Sequence, residues 1–171
     1  LAAETRRVRL ALQKQRTRPR RASEVDIKYG EGGMLDVYFA MRYLQLRHNV
    51  PDDPKDRSTT AMLAQLAEHP SLTDHRSSLA ALHDGYEFLS ALDHNLRLTV
   101  GRTTRLPLGK QAALETIAER MKVGSAGELL QQLTFQRIDV REAFSALVSI
   151  HPRELLNRRS HFLNGGVAAA F

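Results

Sequence analysis

Residues 26–39 read Asp-Ile-Lys-Tyr-Gly-Glu-Gly-Gly-Met-Leu-Asp-Val-Tyr-Phe. Three of the chain's ten glycines fall within four positions of this stretch, between a short strand-like segment and an amphipathic helix. Glycine lets a backbone turn tightly and approach a ligand closely, and the first turn of a helix offers unpaired N–H groups to an anion. The stretch therefore predicts a Gly-rich turn that leads from an extended segment into a helix.

Helical periodicity continues on both sides of this turn, and the remaining segments carry turn residues rather than strand patterns. The N-terminal helix is predicted to bury Leu1, Val8, Ala11 and Leu12 on one face, with arginines on the rest. The fold class predicted is all-α, a bundle of about six helices with a short extended segment and a Gly-rich turn near residues 25–33. The first two predicted helices span residues 1–16 and 35–47. The third is capped by Ser58 and stopped by Pro70, and the fourth is capped by Thr73 and runs to about Leu98. The fifth ends at Gly124, and the sixth runs from Ser125 to Pro152.

The longest predicted helix carries an apolar stripe, and Gly85 within it predicts a close contact with another helix. Residues 100–107 are predicted to be a polar connection. The stripe is Leu79, Leu82, Tyr86, Leu89, Leu92 and Leu96.

The predicted domain organisation has three parts. Residues 1–24 are a basic helix and linker from a preceding domain, residues 25–158 are the helical bundle domain, and residues 159–171 are a tail. The chain begins with Leu1 rather than Met, which favours an excised piece of a longer protein.

The net charge of +6 is concentrated at the N-terminus, where residues 1–21 hold eight Lys or Arg and one acidic residue. The other 150 residues carry 17 basic and 18 acidic side chains. Such an arm can bind phosphates, but a solvated helix and linker explains it equally, and we prefer that reading. Cysteine is absent, which excludes disulfides and favours a cytoplasmic protein. No apolar run approaches a membrane span and no signal peptide is evident.

Lys28 is the main candidate for contact with a phosphate, and its alternative is a solvated lysine at the end of a strand. Gly30, Gly32 and Gly33 either cradle a phosphate with their N–H groups or form a tight turn with positive φ, and both can hold at once. Asp36 either orders a basic group or metal, or favours the helix dipole from the first turn.

Asp93 and His94 are candidates for an acid/base pair or for metal ligands. No partner lies four residues along the helix to complete a metal site, so a buried, hydrogen-bonded structural pair is favoured. We assign no catalytic residue and no metal ligand to the chain.

Several segments, in the same order, resemble those of the glutamine-synthetase adenylyltransferases. Residues 26–39 resemble the family signature D-[IV]-K-x-G-x-G-G-[IL]-R-D-[IV]-E-F. Residues 85–96, GYEFLSALDHNL, resemble A-Y-x-F-L-R-x-x-E-H-x-L-Q, and residues 102–107, RTTRLP, resemble Q-T-H-x-L-P. Residues 43–48 look like the family's helix after the signature.

The resemblance implies the helical domain that follows a nucleotidyltransferase domain. The parent enzyme would transfer AMP from ATP to a tyrosine of glutamine synthetase, or remove it by phosphorolysis, using magnesium. It would respond to a PII signal protein and glutamine. The resemblance implies that Lys28, Gly30, Gly32, Gly33 and Asp36 lie at the nucleotide.

The chain also departs from the family. Leu35, Tyr38 and Thr104 replace an Arg, a Glu and a His, and the family's G-S-x-x-D-x-D cluster of metal-binding carboxylates is absent. The sequence therefore predicts a divergent helical domain that lacks the catalytic carboxylates, with neither ATP nor magnesium expected on this piece alone.

Three functions stay open on this evidence. The first is a domain that shapes the nucleotide cleft and docks the protein substrate. The second is a non-catalytic regulatory module that binds PII or glutamine synthetase. The third, a nucleic-acid binder that uses residues 1–21, ranks last because no nucleic-acid-binding motif accompanies the basic arm, and a membrane partner is not expected.

Overall fold

The computed structural model describes residues 1–16 and 23–149. These residues form six α-helices, one 3-10 helix and a two-stranded antiparallel sheet, which confirms the predicted all-α bundle. None of the described helices is long and apolar enough to cross a membrane. The elements are α1 Ala2–Arg16, β1 Glu24–Asp26, α2 Met34–His48, α3 Thr59–Ala67, the 3-10 helix Pro70–His75, α4 Arg76–Thr99, β2 Arg105–Pro107, α5 Gln111–Arg120 and α6 Ala126–Leu147.

The core has two apolar clusters, and α4 and α6 contribute to both of them. The first cluster joins α2 and α3 to the first half of α4 and the second half of α6. The second joins α5 to the remaining halves of α4 and α6, with Ile27 and Leu106 added from the turn and β2. The predicted stripe on α4 is confirmed by its buried members, Leu79, Leu82, Leu89, Leu92 and Leu96.

Gly85 lies where α4 crosses α6, as the sequence predicted. A Cβ atom on Gly85 would lie far inside contact distance of Val140 Cγ2, and Val140 is fully buried. The absent side chain therefore permits the closest approach of the two longest described helices.

The residues before the Gly-rich turn form a short ribbon with residues after α4. β1 pairs with β2 so that Glu24 faces Pro107 and Asp26 faces Arg105. The prediction of a polar connection over residues 100–107 is therefore wrong for its last part. A strand of three residues has no usable periodicity, so pairing with β1 decides its conformation.

Two of the three predicted helix caps are confirmed. The Oγ atoms of Ser58 and Ser125 accept hydrogen bonds from the third residue beyond each, both at 3.2 Å. The prediction for Thr73 is wrong, because its hydroxyl donates to the Pro70 carbonyl inside the 3-10 helix and α4 begins after His75. Pro70 stops α3 as predicted but also starts this 3-10 turn, since its fixed φ suits a first helical position.

The predicted apolar face of α1 is wrong. Leu1 and Ala11 are exposed and Val8 and Leu12 are only half-buried, while Ala2 and Arg9 are the residues of α1 that are buried. The helix packs on α2 through polar contacts described below, so hydrophobic periodicity carried no signal for its orientation.

α1 also holds the end of α6. Arg6 Nε donates to the Val148 carbonyl at 2.6 Å and Arg6 Nη2 donates to the Ser145 carbonyl at 3.1 Å. These carbonyls lack partners within their own helix, and α6 ends at Leu147 rather than at Pro152 as predicted. Pro152, the predicted tail 159–171 and residues 17–22 of the predicted linker lie outside the described residues.

Two histidines meet where α2 ends beside the 3-10 helix. The ring centroids of His48 and His69 are 5.6 Å apart. Burial lowers the pKa of His48 from its ordinary value of 6.5, and the charges of Arg47, His69 and His75 lower it further. Since the folded state disfavours the charged imidazole, the unfolded chain binds more protons between the folded and unfolded pKa values.

We expect Gly85→Ala to lower the free energy of unfolding by about 1–3 kcal/mol, the usual cost of overpacking a core. The gain in helix propensity, roughly 1 kcal/mol, is smaller. Urea denaturation would measure both this variant and the same change made together with Val140→Ala, which removes the clashing methyl groups. An equal penalty in the two backgrounds would contradict the contact.

We expect the protein to lose stability as pH falls from above 6.5, the ordinary pKa of His48, towards its lowered folded value. His48→Gln should make this loss shallower, because the substituted side chain no longer takes up a proton. Urea denaturation between about pH 5 and about pH 8 measures the slope. An equal slope in wild type and His48→Gln would contradict this assignment.

Candidate functional site

The side chain of Asp26, the last residue of β1, shapes the start of the Gly-rich turn. Asp26 Oδ1 accepts hydrogen bonds from the backbone N–H groups of Lys28 at 3.0 Å and Tyr29 at 2.8 Å. An aspartate that binds amides two and three residues ahead bends the chain out of the extended conformation. The position of Lys28 is therefore set by the residue that closes the strand.

Backbone carbonyls of the turn satisfy the first N–H groups of α2. Met34 N–H donates to the Ile27 carbonyl and Leu35 N–H donates to the Lys28 carbonyl, both at 3.1 Å. Gly33 N–H donates to the Gly30 carbonyl at 3.1 Å. These amides are the ones that would otherwise bind an anion at a helix start, so the turn uses them for its own structure.

Gly32 is the glycine of the turn that combines a positive φ with a close approach to another helix. Its φ is 66°, in the left-handed region. A Cβ atom there would also overlap the backbone of Arg137 on α6. The tight turn with positive φ is therefore confirmed at Gly32, whereas Gly30 and Gly33 have no positive φ.

Asp36 lies fully buried in a charged pair with an arginine of α1. Its Oδ1 accepts a hydrogen bond from Arg9 Nε at 2.5 Å, and the side chains of Arg9 and Asp36 are 1% and 0% exposed. Asp36 Oδ2 accepts from Gly32 N–H at 2.6 Å and lies 3.6 Å from Arg141 Nη1. Asp36 thus orders a basic group, one of its two predicted roles, and that group comes from α1.

Arg9 reaches beyond Asp36 to the turn itself. Its Nη2 donates to the carbonyls of Gly30 at 2.8 Å and Tyr29 at 3.2 Å, and its Nη1 donates to Gln13 Oε1 at 3.2 Å. A planar guanidinium can make these bonds at once, whereas an ammonium cannot match their geometry.

α6 holds the other side of the turn. Arg137 Nε and Nη2 donate to the Glu31 carbonyl at 3.0 and 2.7 Å. Residues 29–33 are thus gripped by Arg9 from α1 and by Arg137 from α6, and we call them the clamped turn.

Lys28 stands at the edge of the clamped turn with its side chain partly buried. Its Nζ lies 5.8 Å from the centroid of the Tyr29 ring, and Arg16 Cζ lies at the same distance from that centroid. Arg105 Nη2 donates to the Arg16 carbonyl at 3.4 Å. The structure therefore gathers basic side chains from α1, the turn and β2 beside the predicted phosphate contact.

Two of the resembling segments meet in space at this point. β2 lies within the RTTRLP segment, and the Ile27 N–H donates to the Thr104 carbonyl at 3.0 Å. Leu106 is buried in the same apolar cluster as Ile27. The segment thus supports the entry to the clamped turn.

The predicted pair of Asp93 and His94 is not formed. Asp93 Oδ2 bonds Arg97 Nε at 2.8 Å, one turn along α4, while His94 is exposed. Adjacent residues on a helix point in different directions, so a carboxylate pairs more readily with the residue four positions on.

Tyr38, one of the departures from the family pattern, lies on the outer face of α2 with 45% of its surface exposed. Arg42 Cζ lies 5.6 Å from the centroid of its ring. Hydrogen bonds from Gln45 and Arg42 hold the pKa of Asp52 below its ordinary value and tie the loop after α2 to that helix.

Arg9 and Arg137 were not predicted as site residues. Asp36 did carry a signal, because it shares a helical face with Ala40, Tyr43 and Leu44, all of which are buried. A carboxylate on an apolar face needs a cationic partner, but nothing in the sequence says which of the 25 Lys and Arg residues it is.

Residues 1–16 and 23–149 bring together no group of three His, Asp or Glu side chains that could hold a metal. We therefore assign no metal ligand to the described residues and no step through magnesium to them. Lys28, Arg16 and Tyr29 are instead suited to contact an anion directly.

Over residues 5–148 the chain matches the family model described as GlnD PII-uridylyltransferase. Similar curated proteins are called bifunctional glutamine synthetase adenylyltransferase/adenylyl-removing enzyme. The one from Mycobacterium leprae is 34% identical over 131 residues, which cover 71% of this chain and 13% of the relative. The relative from Corynebacterium diphtheriae is 38% identical over 91 residues, which cover 52% of this chain and 8% of the relative. The chain thus spans a small part of the length of the relatives it matches.

We expect Arg9→Met to lower the free energy of unfolding by roughly 3–5 kcal/mol, because it leaves the Asp36 carboxylate buried without its main partner. Urea denaturation would measure the loss. Arg7→Met removes an exposed arginine of the same helix, paired with Glu4, and should change stability little. Equal effects of the two substitutions would show that the buried pair does not hold α1 on the bundle.

Proposed function

Since the chain belongs to the GlnD PII-uridylyltransferase family, we propose that it is the helical domain of a nucleotidyltransferase that acts on glutamine synthetase. The family resemblance predicted from the sequence is confirmed, and identities of 32–38% to the curated relatives mark a divergent member. In this proposal the parent enzyme transfers AMP to a tyrosine of glutamine synthetase or removes it, with ATP and magnesium bound by the parent.

The observation that carries the proposal is the family match over residues 5–148, which includes the whole clamped turn. In the proposed role this turn forms one wall of the nucleotide cleft, and Lys28 contacts a phosphate. The carboxylates that hold magnesium would belong to a preceding domain, because the family's G-S-x-x-D-x-D cluster does not occur in this sequence. The helical surface would dock glutamine synthetase.

Amides at the start of α2 argue for side-chain rather than backbone contact with the nucleotide. The N–H groups of Gly32 and Gly33 already donate to Asp36 and to the Gly30 carbonyl. Lys28 has no carboxylate within ion-pairing distance among the residues described, so its ammonium is available. We therefore propose that Lys28 contacts the phosphate. Gly30, Gly32, Gly33 and Asp36 hold Lys28 in position and do not themselves contact the nucleotide.

Two observations favour a second function. The N–H groups of Gly32 and Gly33 are already occupied within the turn, and Tyr38 is exposed. Under it the bundle is a non-catalytic regulatory module that binds PII or glutamine synthetase without touching nucleotide. An aromatic residue on an exposed helix face suits a protein partner better than a nucleotide phosphate.

We expect Lys28→Ala to weaken binding of ATP with magnesium by about 1–3 kcal/mol, the range of a hydrogen bond to a charged group. Isothermal titration would use this chain joined to the sequence encoded upstream of Leu1. Lys14→Ala, an exposed lysine of α1, is the matched control. Absence of nucleotide binding, with glutamine synthetase or PII captured equally by wild type and Lys28→Ala, would replace this proposal by the regulatory module.

A further inference from the structure

Two cations share one aromatic ring where α1 ends beside the clamped turn. Arg16 Cζ and Lys28 Nζ each lie 5.8 Å from the centroid of the Tyr29 ring. The two charges are therefore at most twice that distance apart, although the two residues are twelve positions apart in the sequence. Resting on the proposed function, we infer that Arg16, Lys28 and Tyr29 form a binding site for the polyphosphate group of a nucleotide, with Arg16 as its second cation.

Neither cation has a carboxylate partner among the described residues. Arginines elsewhere in the fold do, as in the pairs Arg9–Asp36 and Arg97–Asp93. The carboxylates of β1 face a different cation, because Glu24 and Asp26 lie 3.7 and 3.9 Å from nitrogens of Arg105. Asp26 Oδ1 is also occupied by the amides of Lys28 and Tyr29. Charge at Arg16 and Lys28 is left to be neutralised by an anion from solution.

The backbone beneath both cations is held before any ligand arrives. Arg105 Nη2 donates to the Arg16 carbonyl at 3.4 Å, which ties the end of α1 to β2. The Lys28 N–H and carbonyl bond Asp26 Oδ1 at 3.0 Å and the Leu35 N–H at 3.1 Å. A site built on a fixed backbone loses less conformational entropy on binding, and so gains affinity.

The chemistry of the three side chains suits phosphate. A guanidinium offers a planar fork that matches two phosphate oxygens, and an ammonium supplies a compact charge that pairs with a neighbouring phosphate. The Tyr29 ring attracts both cations to its face and so limits their positions. A polyphosphate carries enough charge over sufficient length to meet both cations, whereas a single carboxylate would meet one.

The test is isothermal titration calorimetry of the full 171-residue chain with inorganic tripolyphosphate at low salt. Arg16→Gln and Lys28→Gln should each weaken binding about tenfold, the lower end for a contact with a charged group. Lys14→Gln removes the same charge from the same helix, two residues before Arg16 and so on a different face, and should change affinity less than twofold. Arg16→Gln and Lys14→Gln, both at exposed positions, should leave thermal unfolding unchanged.

Two further titrations distinguish the sources of the phosphate. ATP should bind at least as well as tripolyphosphate and show the same loss on Arg16→Gln. A single-stranded oligonucleotide that binds more tightly than ATP and is unaffected by Arg16→Gln would overturn the site in favour of general attraction to the basic arm. Equal losses from Lys14→Gln and Arg16→Gln, or no binding of tripolyphosphate, would overturn it as well.

The outcome is separable from that of the proposed function. Failure here, with Lys28→Ala still weakening ATP in the protein joined to its upstream sequence, would remove Arg16 and leave the nucleotide cleft. Tripolyphosphate binding that depends on Arg16 would support the site even if the longer protein bound no ATP.

Discussion

The ion pair between Arg9 and Asp36 is the interaction on which the rest of this structure depends. Both side chains are almost completely buried, and the guanidinium also donates to two carbonyls of the clamped turn. A buried charge without its partner is expensive, because water no longer solvates it. The pair therefore holds α1, the turn and the first turn of α2 in one arrangement. The apolar contacts of α1 are too few to do this, since Ala2 is the apolar residue that it buries fully.

The ion pair also bears on what the glycines of the turn can bind. A glycine-rich turn before a helix is often open to an anion, because its amides lack partners. Here Asp36 and the carbonyls of the turn occupy those amides, and the glycine at position 32 lets the backbone of α6 come close. The turn has become a rigid support, and the side chains at its edge, Lys28 and Tyr29, are left to face a ligand. Part of the basic N-terminal arm, residues 1–21, is likewise occupied within the fold. Arg6 and Arg9 bind the bundle rather than an external phosphate.

Much of the bundle could be predicted, because its helices carry local signals. Ser58 and Ser125 cap helices through their own side chains, and the stripe on α4 repeats every three or four residues. The errors at β2 and α1 arose because their partners are distant in sequence. β2 exists because β1 lies beside it, and α1 is oriented by a charged contact over 27 positions. At the candidate site, Lys28 and the glycines were identifiable from the motif, whereas Arg9, Arg16 and Arg137 belong to helices with no motif.

The sequence by itself determined the all-α class, most helix positions, the close crossing at Gly85 and the family, since these depend on periodicity, capping residues and ordered short motifs. Only the tertiary structure decided that Asp36 pairs with Arg9, that the turn's amides are occupied, and that Arg16 and Lys28 share the Tyr29 ring. The physical reason is that hydrophobic periodicity indicates which face of an amphipathic helix such as α4 is buried, but carries no information about which of many arginines meets a given carboxylate. That choice depends on the three-dimensional arrangement of helices far apart in the chain.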